Sequence, residues 1–298
     1  MQSESYQQFM NACIASDATT QFAIINTQLA TVAGAERAFW LRVRANERAR
    51  SAMLPHDAQL VWLDLDEAVR TAPDDVDNRA QALVHSLGVC VRTERVDRFH
   101  AIQQSMRQWS RTIARMPYFW QNMALLHMRR RRWHQALCDC TKALQTVHGN
   151  SATLPDLKLC HQAHLHMYRS LAHMACGHLQ QAMSDLAHAQ LLAEQHNPAR
   201  INHVAFALAE GELHFRQGST QLARAALQKG LMKSASYKQR PDPWRLVETE
   251  LLAARLARAE GNAVGFEHFC SRALTLCSQY DLPLSAASVA AVLAGAER

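Results

Sequence analysis

The chain has 298 residues, of which 48% are hydrophobic, and it carries only ten glycines and eight prolines. So little turn-forming material, beside abundant Ala, Leu, Gln and Arg, argues against a sheet protein and predicts an all-α fold. The net charge of +6 is concentrated in one belt: between Arg92 and Arg132 ten arginines face only Glu94 and Asp97, a local +8 that leaves the remainder at −2.

Residues 5–32 read as one or two helices, and residues 1–32 are expected to cap the N-terminal end. The opening MQSESYQQFMNACIASD lacks the basic start and continuous apolar segment of a secretory signal. No run elsewhere approaches the roughly 20 apolar residues that span a bilayer, so a cytoplasmic location without a membrane partner is expected. The next two segments, AERAFWLRVRANERARSAM and DAQLVWLDLDEAVRTA, are apolar at helical spacing, with Leu54, Pro55 and His56 between them. Pro55 marks that turn. The acidic stretch APDDVD then offers Asp74, Asp75 or Asp77 as a helix cap ahead of the pair AQALVHSLGVCVRTE and VDRFHAIQQSMRQWSRTIARM. Cys13, Cys90, Cys138, Cys140, Cys160, Cys176, Cys270 and Cys277 all fall inside helical patterns, which predicts reduced, mostly packed thiols rather than a disulfide framework.

From Phe119 onward the chain repeats itself. The segment FWQNMALLHMRRRRWHQALCDCTKAL holds two amphipathic helices, and small or apolar residues open the second helix again at Ala136, Ala182, Ala223 and Phe266, in steps of 46, 41 and 43. The intervening turns are RRRRW, CGHLQ, QGSTQ and EGNAV. In three of them Gly177, Gly218 or Gly261 stands five residues before the aligned position, where a first helix must end and the chain reverse. After Tyr280, LPLSAASVAAVLAGAE reads as a final helix, and residues 281–298 are expected to cap the C-terminal end.

The pattern resembles tetratricopeptide repeats. Trp120, Ala124, Ala136 and Ala143 match the family's signature in one unit; Gly211, Gly218, Ala223 and Leu227 match it in another. The resemblance covers residues 33–280 and implies an α-solenoid of about six antiparallel hairpins, coiled as a right-handed superhelix in one elongated domain. Steps of 41 to 46 exceed the ~34 of the standard repeat; in this the chain is similar to the divergent arrays of bacterial regulators and sensors.

The resemblance further implies that the first helix of each hairpin lines a concave face. Four sets with identical spacing fall there: Tyr118, Gln121, Leu125, Met128; His164, Met167, Leu171, Met174; Ala205, Leu208, Glu212, Phe215; and Glu248, Leu251, Arg255, Arg258. Steps of three, four and three keep each set on one helix face, with Arg129 and Arg216 beside them. Aliphatic and Met side chains bordered by Arg suit an extended or helical peptide bearing acidic groups. A protein- or peptide-binding adaptor or sensor without catalytic chemistry is therefore expected, with no cofactor. The family's carboxylate clamp is disfavoured: Asn122 occupies one clamp position, but His164 and Tyr168 stand where Lys and Arg are required.

Two alternatives compete. Arg92, Arg95, Arg98, Arg107, Arg111, Arg115 and Arg129 to Arg132, interleaved with Trp109, Tyr118, Phe119 and Trp120, could track a nucleic-acid backbone and stack bases. The last four arginines, however, end a first helix, where cations relieve unpaired carbonyls. The segment from Cys160 to His178, with His161, His164, His166, His173 and Cys176, could hold a metal, although it lacks CxxC and HExxH spacing. Neither a phosphate loop, GxGxxG nor a GxSxG elbow is present, so an enzyme is not expected. A homodimer is compatible with adhesive solenoid ends.

Overall fold

The computed structural model describes residues 4–14, 18–51, 55–107, 110–149, 155–195, 201–237 and 241–296; these form sixteen α-helices and no strand. Where the sequence predicts one continuous array, the chain divides into two compact units, Met1–Phe119 and Trp120–Arg298. The regular alternation of long helices is interrupted just before the division by a four-residue helix and by Pro117.

The first unit contains α1 (Glu4–Ile14), α2 (Ala18–Thr31), α3 (Gly34–Ser51), α4 (Pro55–Thr71), α5 (Val76–Thr93), α6 (Val96–Arg107) and α7 (Ser110–Ile113). Pro55 opens α4, where its missing N–H is one of the donors without an intrahelical partner in any case; Leu54, also expected at this turn, lies outside the described residues. Of the three candidate caps Asp75 serves, its carboxylate accepting the Asn78 N–H at 2.9 Å. Trp40, Leu41 and Leu65 are buried in the α3–α4 pair, and Phe9 of α1 meets Trp40 edge-on. Buried Asp64 takes both Arg44 and Arg48 at 2.7 Å. Burial, with the Arg42 and Arg92 cations nearby, pushes the His85 pKa down to about 4.

The second unit is the repeating part. It comprises α8 (Pro117–Arg129, entering from the first unit), α9 (Trp133–Gly149), α10 (Pro155–Ala175), α11 (Leu179–Glu194), α12 (His203–Arg216), α13 (Thr220–Ser236), α14 (Pro243–Ala259), α15 (Ala263–Tyr280) and α16 (Pro283–Leu293). The expected turns form. Gly177, Gly218 and Gly261 adopt φ of +80°, +78° and +71°, a left-handed conformation that costs glycine nothing, and Arg131 occupies the same place in the first hairpin at +56°. Ala136, Ala182 and Ala223 are fully buried and let the two helices of a hairpin approach closely. At Gly230 the approach is closer still: a Cβ there would lie 2.1 Å from that of Ala207 on α12.

Hairpins α10–α11, α12–α13 and α14–α15 follow one another so that the first helices α10, α12 and α14 pack side by side, with α16 next to α14. Each second helix packs on its own first helix and on the one that follows. The apolar interior between hairpins includes Val204, Leu208, Ala223, Leu227, Leu252 and Leu256, with Ala143, Leu144, Val147 and Leu165 forming another cluster against Trp120. The final helix after Tyr280 is observed as α16. No helix among the described residues is long and apolar enough to cross a membrane.

Candidate functional site

The side-by-side first helices decide the fate of the expected ligand contacts. Leu125, Met167 and Leu208 are buried, Met167 completely, and for Met167 and Leu208 this follows from α10, α12 and α14 touching one another. They fill helix packing and present no surface. Gln121, Met128, His164, Leu171 and Phe215 are partly exposed. Tyr118 is exposed at the start of α8, on the first unit's side of the division. His164 is held by two backbone groups, its Nδ1 at 2.8 Å from the Cys160 carbonyl and its Nε2 accepting the Asn202 N–H at 3.3 Å.

The arginines expected to hold a ligand's acidic groups have acceptors within the chain. Arg216 donates to Glu212 at 2.7 Å, and Arg255 reaches the same carboxylate from α14. Burial alone would raise the Glu212 carboxyl; the Arg255 and Arg216 guanidiniums outweigh it and hold it below the usual range. Arg255 also lies over the Phe215 ring. Arg258 lies over Phe266 and donates to the Val292 carbonyl near the end of α16, where a cation suits the helix dipole. Arg129, its side chain only 6% exposed, donates to Glu248 at 2.9 Å and to the Ser285 hydroxyl at 2.5 Å. Thus α8, α14 and α16 meet at one guanidinium.

Two residues that the sequence did not single out complete that meeting point. Trp244, in the first turn of α14, has the Arg245 guanidinium 4.1 Å and the Arg129 guanidinium 4.8 Å from its ring centroid. Arg245 is 1% exposed; it donates to the Tyr168 hydroxyl at 3.0 Å, while the nearest carboxylate, Asp242, stands 3.6 Å from its Nε. Neither Trp244 Nε1 nor Arg245 Nε makes a hydrogen bond among the described residues.

A second polar cluster lies between α10 and α11. Asp185 accepts two hydrogen bonds from Arg169, at 2.6 and 2.7 Å, faces His166 Nδ1 at 2.9 Å, and has His173 Nε2 at 3.7 Å. Burial would raise this carboxyl, but the His166 and Arg169 contacts prevail and bring it down to about 2. Beside it a shallow depression of about 430 Å³ is lined by Cys138, Thr141, Lys142, Arg169 and His173. The arrangement is echoed one hairpin earlier, where His127 meets Asp139 at 2.7 Å. His127 and His173 are 46 residues apart, as are Asp139 and Asp185, so a His followed twelve positions later by Asp was a legible repeat signal. In the third hairpin His214 keeps the place but Ala226 replaces the acid, and His214 Nδ1 is buried without a hydrogen bond among the described residues.

For the alternatives, Arg95, Arg98, Arg107, Arg111 and Arg115 are exposed in the first unit, although Arg98 stacks over Trp62; Trp109 lies outside the described residues. Cys160 Sγ approaches His164 Nδ1 at 3.6 Å, yet among the described residues no three His, Cys, Asp or Glu side chains are placed to hold a metal ion. Compared with models of known protein families and with curated proteins, the chain matches none.

Proposed function

We propose that the chain is a tetratricopeptide-like solenoid that works as a cytoplasmic adaptor or sensor, holding an acidic protein or peptide segment on the first-helix face of its second unit. The observation that carries this reading is the convergence of Arg129, Arg245, Trp244 and Tyr168, from three first helices, on one buried locus. Cations and aromatic rings at the centre of a helical stack suit an acidic ligand with apolar flanks. Leu171, Phe215 and Met128 supply partly exposed apolar surface, and Arg216 and Arg255 add guanidiniums that Glu212 holds in place.

Affinity capture with the wild type and with a Leu171→Asp, Arg216→Glu double variant tests the assignment. Loss of partners from a variant that keeps its helical circular dichroism supports it; equal recovery of the same partners by both proteins removes it.

Nucleic acid is the second reading, favoured by the five exposed arginines of the first unit. It requires binding to single strands that weakens steeply between low and moderate salt. No binding at low salt eliminates it.

A further inference from the structure

We propose that the starts of α14 and α16 form an oxyanion-binding site, which takes a carboxylate or phosphate group through Arg129, Trp244 and Arg245. The inference rests on the ligand-holding reading above and names the chemistry that the held segment must bring.

The locus pairs two guanidiniums with two carboxylates, and two helix N-termini add their partial positive charge. Two guanidiniums flank one indole ring, and two helix N-termini, the positive ends of their dipoles, lie beside them: Trp244 and Arg245 sit in the first turn of α14, Ser285 in the first turn of α16. Both helices start on proline and neither start carries a side-chain cap. Against these stand Glu248, bonded to Arg129, and Asp242, ion-paired with the Arg245 Nε at 3.6 Å but beyond hydrogen-bond distance.

The unmet groups here are donors. Trp244 is 3% exposed and Arg245 1%, yet the indole N–H and the Arg245 Nε–H have no acceptor among the described residues. Buried donors in this condition are costly, and a group with several lone pairs and a negative charge supplies the missing acceptors while the two helix N-termini favour its charge. A cation or a ligand with donors only would supply none. The Ser285 hydroxyl, which accepts from Arg129, is a neutral stand-in for such an acceptor. Because α16 packs on α14 and its first turn bonds Arg129, an entering anion displaces that turn.

The test is thermal unfolding in inorganic phosphate at constant ionic strength, read for the wild type, Arg245→Met and Trp244→Phe. Phosphate at about ten times its dissociation constant should raise the wild-type melting temperature by about 3 °C. Arg245→Met should show no rise, and Trp244→Phe should need about tenfold more phosphate. Trp244→Phe removes the N–H while keeping an aromatic ring, so it keeps the test decisive if Arg245→Met does not fold. No rise in the wild type at tens of millimolar phosphate, or equal rises in all three proteins, overturns the site.

A parallel titration with N-acetyl-phosphoserine amide separates the sources of the anion. Stabilisation by both compounds marks a group carried on a chain, and stabilisation by phosphate alone marks a free ion; either outcome upholds the site. The capture experiment fails independently: phosphate binding with unchanged capture keeps the anion site and removes the segment-holding face.

Discussion

Around Asp185 one buried carboxylate gathers Arg169 and His166 within hydrogen-bond distance and His173 at 3.7 Å, whereas around Trp244 two guanidiniums crowd one indole and Arg245 finds its nearest acid at 3.6 Å. Both clusters join neighbouring helices of the second unit through buried charge. The first is largely satisfied: of the roughly four lone-pair sites of a carboxylate, three on Asp185 are met by Arg169 and His166. The second leaves an indole N–H and a guanidinium N–H without a hydrogen bond among the described residues. A satisfied cluster stabilises the fold, and in the reading proposed above the unsatisfied one takes a group from outside.

The comparison breaks first at Asp185. Asp185→Asn leaves Arg169 without its counter-charge in a largely buried place, and should cost about 3 kcal/mol in urea unfolding. A loss within measurement error would mean that this cluster, too, is dispensable.

Acid sharpens the same contrast. The folded-state pKa of Asp185, about 2, is below its unfolded value of about 3.9, so its stabilisation is complete above the unfolded value and disappears as pH falls through the folded one. On the order of 2 kcal/mol should be lost on that limb, and Asp185→Asn should flatten it. His85 and His161 act at higher pH. Burial, the main cause at each, holds them at about 4 and about 3 in the folded chain, so the unfolded chain binds protons first and stability starts to fall below about 6.5 in both proteins.

Much of the frame behind these clusters was legible in the letters. Gly177, Gly218 and Gly261 gave away three turns because the left-handed conformation selects glycine; Arg131 hid the fourth because an arginine can be strained into it by the helices on either side. Asp75 was readable as a cap from its place before an apolar period, and α16 from an apolar run opened by proline. The site was less legible. Helical spacing put Arg129, Glu212 and Arg255 on first helices, but pairing across the stack depends on how far each hairpin rotates on the last. Arg129 and Glu248 are 119 positions apart and no local pattern joins them. Met167 shows the reverse: its face was readable, but whether that face is open or sealed is a property of helix separation. Trp244 and Arg245 escaped notice because a Trp–Arg pair in a first helical turn is ordinary until a second guanidinium arrives from α8.

A smaller effect is expected where the unsatisfied cluster is given one more acid. Ser285→Asp places a carboxylate against Arg129 and the start of α16, and should raise unfolding stability by about 1 kcal/mol in phosphate-free buffer while reducing the response to added phosphate. Destabilisation instead would show that the locus has no use for more negative charge.

The most direct measurement is the unfolding free energy of Arg245→Met without phosphate or other oxyanions. The Arg245 guanidinium meets Asp242 only at 3.6 Å, a loose pair whose gain does little more than offset its burial, and Met of similar length packs in its place, so stability should equal or slightly exceed that of the wild type. A loss of about 3 kcal/mol, matching that expected for Asp185→Asn, would make Arg245 a structural ion and contradict the reading of this locus as a ligand site.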